Sequence, residues 1–226
     1  YLTGPPGKQT RPKVVEIRHL TVIQAQHMLL QDITLDIFEG ETVAILEVPG
    51  AGAKTLLASV RGQIQPASGE IVVLGAPLPP LPVTLQQQLG TMPQHIQRET
   101  GETVSEYLQR FANYHTTHLN REQLQTYCTH YQLAPTTRVT HLTNLQTKIF
   151  ALALALVHDP RLVLLDEPLT GLTELEQAKF WPFLQRTQRE GRTLLCTFTS
   201  PLAENQFTDY DLIVQLEQGQ IVHNKG

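Results

Sequence analysis

Apolar and polar residues change their period twice along the chain. From Val14 to Val22, and again from Ile33 to Phe38, apolar positions alternate in part with polar ones, the two-residue period of strands with one buried face. Glu41 to Val48 predicts a further strand, Pro49 to Ala53 a glycine-rich turn, and Lys54 to about Ile64 a helix. A buried strand, a tight glycine turn and a helix make half of a phosphate-binding α/β unit. Gln65 to Gly69 reads as a turn, and Glu70 to Leu74 resumes a strand.

From about His95 to Val157 the strand signals vanish. Three helical patterns, Val104 to Tyr114, Arg121 to Leu133 and Thr143 to Val157, predict a helical subdomain inserted into the α/β core. The core returns at Arg161 to Leu165, whose apolar run suits a strand buried on both faces. A helix from about Glu174 to Arg189, a strand from Thr193 to Phe198 and a hairpin from Asp211 to Val222, turning at Gln218-Gly219, complete it. Pro182 predicts a kink in that helix or a start one turn later, and Trp181 belongs to its apolar face. Residues 1–12 read as a linker or tail ahead of one domain spanning 13–226, and Pro77 to Pro82 as a stiff surface connection.

Charge and composition narrow the function classes. Lys and Arg total 17 against 21 Asp and Glu, so the basic footprint of a nucleic-acid binder is absent. The longest apolar run, Ile149 to Val157, falls short of the roughly 18 residues of a membrane span. There is no signal-peptide pattern either, so the expectation is a cytoplasmic domain that meets a membrane only through a partner. Cys128 and Cys196 are expected as free thiols. His115 and His118, the one close histidine pair, read as solvated side chains at a helix end and not as metal ligands.

The candidate chemistry lies at Asp166-Glu167, two carboxylates at the carboxyl end of a buried strand, where α/β folds place ligands. The segment from Arg161 to Leu172 resembles the Walker B strand and D-loop of ATP-binding-cassette (ABC) ATPases. The rest follows in order. Gly40 to Leu46 resembles the strand before that family's P-loop, Gln65 to Ile71 the segment after it, and Thr91 to Gln94 the Q-loop. Ala151 to Pro160 resembles the helix before Walker B, and Asp211 to Val222 the closing hairpin.

The resemblance implies an α/β, P-loop NTPase-type (RecA-like) fold: a parallel-sheet core with an antiparallel β part and an inserted helical subdomain. The Gly50 turn and Asp166 are then expected at neighbouring strand ends. It implies ATP and Mg²⁺ as cofactors, with Gln94 and Asp166 toward the metal and Glu167 polarising the attacking water. It also implies a transmembrane permease and a second ABC domain as partners, no nucleic acid, no direct membrane insertion, and a peripheral place on the cytoplasmic face of a membrane.

The functional motifs depart from the family pattern G-x-x-x-x-G-K-[ST]. Aligned without a gap, Glu47 replaces the first Gly, Gly50-Ala51-Gly52 keep the turn, Ala53 replaces the Lys and Lys54 the metal-binding hydroxyl, followed by Thr55. A slid register would instead place Lys54-Thr55 at the Lys and hydroxyl positions, at the cost of shifts on both sides of the loop. The signature, L-S-G-G-Q in the family, reads Leu142-Thr143-Asn144-Leu145-Gln146. Ser200 stands where a switch histidine is usual, and Thr173 where the D-loop ends in Asp. No aromatic lies near Ile23 to Gln26, where the adenine-stacking residue is usual.

Three readings remain: a degenerate transporter subunit with weak or absent ATP binding and hydrolysis, a working ATPase in the slid register, and a scaffold outside transport that keeps only the fold. The segment Thr103 to Asn113 resembles drug- and polysaccharide-exporter cassettes.

Overall fold

The computed structural model describes residues 11–48, 50–93, 96, 101–199 and 209–225. Strands β1 (Lys13–Gln24) and β2 (His27–Phe38) form a long antiparallel hairpin. Its two turn residues, Ala25 and Gln26, both have positive φ, 48° and 65°, as a tight two-residue hairpin turn requires. β2 therefore starts six residues earlier than its alternation indicates. Its first turns carry no clean period, with His27 and Met28 exposed and Leu30 buried.

β4 (Ser68–Val73) and β5 (Ala76–Leu78) extend this sheet in the order β2-β1-β4-β5. The segment expected as a bare connection at Pro77 to Pro82 thus begins as a strand. Pro77 is tolerated there because β5 is an edge.

The second sheet has six strands in the order β10-β9-β3-β8-β7-β6. These are β3 (Thr42–Glu47), β6 (Leu89–Thr91), β7 (Leu162–Asp166), β8 (Thr193–Phe198), β9 (Leu212–Glu217) and β10 (Gln220–Lys225). All neighbours are parallel except the β9–β10 hairpin. β8 lies between β3 and β7, so the Gly50 turn and Asp166 are not at adjacent strand ends as expected. Parallel pairing nevertheless brings both to the carboxyl end of the strands.

This sheet separates two apolar clusters, and its strands serve both by alternation. Val43 and Ile45 of β3, with Leu162 and Leu164 of β7, pack with the antiparallel sheet and with α1 (Ala53–Val60). Ala44, Val163 and Leu165 pack on the opposite face with helical residues that include Leu108, Phe150 and Phe180. Burial on both faces explains why these strands read as continuous apolar runs.

The helical lobe comprises α3 (Val104–Tyr114), α4 (Arg121–His130) and α5 (Asn144–Leu156). Each begins at a reciprocal cap, Thr103 with Glu106, Asn120 with Gln123, and Thr143 with Gln146. Helix α6 (Glu174–Arg189) is capped likewise by Thr173 and Glu176. It runs through Pro182 from Glu174 onward, so a start one turn later is not what forms. Trp181 Nε1 and Gln185 Nε2 both donate to Asp209 Oδ2, at 3.0 and 2.9 Å.

Helix α1 ends at Val60, short of Ile64, because Gly62 turns the chain at φ 68° against Leu81. A four-residue helix, α2 (Val83–Gln86), lies between β5 and β6. Both cysteines are buried and free. No helix among the described residues is long and apolar enough to cross a membrane.

Candidate functional site

The carboxyl ends of β3 and β7, the head of α1 and the head of α5 surround one cavity of about 730 Å³. Among the described residues its charged lining is Glu47, Asp166 and Glu167 against Lys54 and Lys148. Asn144, Thr147, Thr170, Thr199 and the apolar Met92, Pro93 and Ile96 complete most of the wall.

The turn before α1 depends on Gly52. Its φ is 106°, and a Cβ there would stand 2.5 Å from the Leu29 carbonyl oxygen. The turn is held from outside by Gly219 of the β9–β10 hairpin, whose N–H donates to Ala51 O at 3.0 Å. Ala53 is the first helical residue and fully buried, Lys54 is exposed and Thr55 half-buried. Gly50 is exposed with open space around it.

Glu47 meets this turn from the sheet. It is the last residue of β3 and shares the parity of Val43 and Ile45, the face packed on α1. Its half-buried side chain therefore lies under the head of the helix, where Oε2 accepts the Ala53 N–H at 2.8 Å. The first amides of a helix have no intrahelical acceptor, and anions are favoured there. Here a carboxylate of the same chain supplies the acceptor.

At the end of β7, the Thr197 hydroxyl accepts the Glu167 N–H at 3.1 Å and donates to Asp166 Oδ1 at 3.0 Å. Glu167 adopts φ 48°, and its Oε2 accepts from Thr170 Oγ1 at 3.0 Å. Burial raises the Glu167 carboxyl above its ordinary pKa, with repulsion from Asp166 and Glu47 adding and the Thr170 and Thr199 hydroxyls opposing. Lys148 is lowered by burial, against the attraction of Glu167.

At the head of α5, Leu142 is buried and Thr143 caps the helix, accepting the Gln146 N–H at 3.2 Å. Asn144 is exposed and Leu145 half-buried against the core. The Asn144 amide donates to Gly171 O at 2.6 Å.

The expected residues Glu47, Lys54, Asn144, Asp166 and Glu167 thus line a single cavity. Gln94, Ser200 and Pro49 lie outside the described residues. Lys148, Thr147 and Ala151 line the wall without having been expected there. With Asn144 they stand three to four residues apart on α5, so helical spacing from Asn144 points to them. At the tip of the β1–β2 hairpin, Ile23 and Met28 form an exposed cross-strand pair with no aromatic ring.

The histidine reading changes in part: His115 is half-buried, with its ring stacked 4.0 Å from that of His158, while His118 is exposed. No group of three or more metal-ligating side chains occurs among the described residues.

The ABC transporter family model matches residues 30–170. The chain is 29% identical over 203 residues to the ABC transporter ATP-binding protein NatA of Bacillus subtilis, covering 86% of this chain and 80% of that protein. It is 27% identical over 200 residues to the Nod factor export ATP-binding protein I of Rhizobium meliloti, covering 86% of this chain but 59% of that longer protein.

Among solved structures, an ATP-binding cassette of an ABC transporter in its ADP conformation superposes with a TM-score of 0.81 at 14% identity, over 94% of this chain and 91% of that one. A dimeric cassette in a post-hydrolysis state with ADP and Pi gives 0.75 at 20%, over 93% and 97%.

Proposed function

The chain belongs to the ABC transporter family, and from that premise we propose that it is a degenerate ATP-binding cassette, a structural or regulatory partner whose own site holds ATP weakly or not at all. One observation carries the reading: the Glu47 carboxylate occupies the amide at the head of α1, and the buried methyl of Ala53 stands where the family's lysine would start the helix. These residues do not fit a magnesium polyphosphate. A charge-assisted hydrogen bond from the missing lysine is worth about 1.5–3 kcal/mol, or one to two decades of affinity. Glu47 adds a negative charge where phosphate charge would come, and Lys54 replaces a metal-ligating hydroxyl. The gapless register has further support in Gly52, which tolerates no Cβ and immediately precedes the first helical residue.

A second reading has its own observation. Lys54 lines the same cavity as Asp166 and Glu167, which is what an ATPase in the slid register would need.

The partners follow from the family: a permease in the membrane and a second cassette, at the cytoplasmic face. The dimeric cassette structures support the second partner. The likeness to Nod factor export proteins, with the segment Thr103 to Asn113, supports an export-type permease.

The test is Mg-ATP binding by calorimetry and thermal shift. A ligand of the native state at 100 times its Kd adds about 2.7 kcal/mol of stability. Millimolar Mg-ATP should therefore leave the melting temperature almost unmoved, and a clear rise at micromolar Mg-ATP would favour the slid register.

A further inference from the structure

We propose that Glu47 is a built-in anion that fills the phosphate-facing turn of its own chain, and that removing its side chain turns the cavity into a metal-independent site for a polyphosphate. The inference deepens the reading of a degenerate cassette by assigning the exclusion of polyphosphate chiefly to one side chain.

Three observations carry it. The first is the 2.8 Å bond from Ala53 N–H to Glu47 Oε2, which gives the head of α1 the carboxylate partner that a free anion would otherwise provide. The second is placement. Glu47 is anchored in the sheet opposite Leu216 of β9, on the α1-facing side of β3, so its carboxylate is held under the helix by the register of the sheet. The third is the charge around the cavity, where among the described residues three carboxylates face two ammonium groups. Without Glu47 the two signs are balanced. The ammonium groups of Lys54 and Lys148 then share the cavity with the carboxylates of Asp166 and Glu167 alone.

The loop itself is already shaped for an anion. Gly52 supplies the left-handed turn, and the hydrogen bond from the Gly219 N–H to the Ala51 carbonyl oxygen holds it without using Glu47. Loss of the Glu47 side chain therefore removes a helix cap and leaves the turn braced. The variant should be less stable in plain buffer and should recover stability from an anion that takes the vacated amide.

The test uses tripolyphosphate without nucleotide or divalent metal, on the full chain and on Glu47→Ala and Glu47→Gln. Calorimetry reads affinity, melting temperature reads stability, and the amide signal of Ala53 in ¹⁵N NMR reads location. Glu47→Ala should melt lower than the parent, bind tripolyphosphate at least about tenfold more tightly and shift its Ala53 amide on binding. Glu47→Gln keeps an acceptor for the amide but loses the charge, so it should melt near the parent and bind with intermediate affinity. Adding Lys54→Ala to Glu47→Ala should take away much of the gain.

The proposal is overturned if Glu47→Ala folds and binds no better than the parent, or binds better with the Ala53 amide unmoved. If Glu47→Ala does not fold, Glu47→Gln decides on the same two readouts. A parent that binds Mg-ATP at micromolar concentration would defeat the degenerate reading while leaving a gain in Glu47→Ala intact. A parent that binds Mg-ATP weakly, with no gain in Glu47→Ala, defeats the Glu47 assignment alone.

Discussion

The side-chain amide of Asn144 donates to the backbone carbonyl of Gly171 across 2.6 Å, joining the first residue of α5 to the loop after β7. In the family's signature this position is a glycine, which allows close backbone approach by a neighbour. Here a side chain stands at the aligned position and is tied to the loop after β7 of its own chain. Replacing Asn144 and Leu145 together by Gly should open the head of α5. The cost is roughly 1–2 kcal/mol of stability, from two glycines in a first helical turn and one lost hydrogen bond. If a partner cassette places its nucleotide against this segment, the ATPase rate of the assembled complex should rise. An unchanged rate in a complex that still assembles would show that this segment does not limit turnover.

Glu167 offers a stability test with a definite sign. Burial and the charges of Asp166 and Glu47 raise its folded-state pKa above 4.5, so folding favours the protonated form. Its ionisation therefore costs stability increasingly as pH climbs through that raised value. Glu167→Gln removes the cost while keeping an oxygen to accept from Thr170. The variant should melt higher than the parent at about pH 8, and the difference should close near pH 4. A variant that melts lower throughout would mean that the carboxylate is held by partners outweighing its burial.

The strands that build the cavity were legible in the sequence because both of their faces are buried: β3, β7 and β8 are short, continuous apolar runs. The helices α3 and α6 were legible to within a residue or two, each starting at a threonine paired with a glutamate three positions on. The start of β2 was not, since Ala25-Gln26 makes a left-handed turn without Gly, Asn or Asp. Nor were β5, α2 and β6, which are three or four residues long and carry too few positions to show a period. In the cavity, the sequence exposed the carboxylates and, in the gapless alignment, an alanine at the lysine position. It could not tell which backbone amide Glu47 meets, because that depends on the parity of β3 against α1. Nor could it tell that Lys148 shares the cavity with Glu167 and feels its charge, because that depends on α5 lying beside the end of β7.

A pH-sensitive contact lies between the helical lobe and the edge of the sheet. His158 stacks on His115, at the end of α3, with ring centroids 4.0 Å apart, and its Nε2 stands 3.1 Å from the Leu89 carbonyl oxygen of β6. Burial, followed by repulsion from His115, lowers the His158 pKa from 6.5 to about 4, with Arg192 adding and the Leu89 carbonyl and Asp159 opposing. The folded chain thus binds fewer protons here than the unfolded one. The stability from neutral His158 is complete above the unfolded pKa and is lost as pH falls from about 6.5 toward 4. His158→Gln can keep the bond to Leu89 without titrating, so its melting temperature should fall less over that window than the parent's. Parallel decline of the two proteins would assign the acid sensitivity to other groups.

The two alignments of the glycine turn make opposite predictions for one triple variant, Glu47→Gly, Ala53→Lys and Lys54→Thr. It recreates G-x-x-x-x-G-K-T without changing chain length. In the gapless register the variant removes the carboxylate bonded to the Ala53 amide, places a lysine at the first residue of α1 and supplies a hydroxyl one position on. The three changes share one site and need not add, yet the lysine alone should be worth about 1.5–3 kcal/mol. Mg-ATP affinity should then rise at least tenfold. Hydrolysis should remain slow, because Ser200 and Thr173 are untouched and phosphoryl transfer depends on positioning. In the slid register the same variant displaces a lysine that already serves the phosphates, and affinity falls. Ala53 is fully buried at the head of α1, so the new lysine must reach out of a packed position. A melting curve taken with the isotherm tells a misfolded variant from a weak binder, and the sign of the affinity change in a folded variant separates the registers.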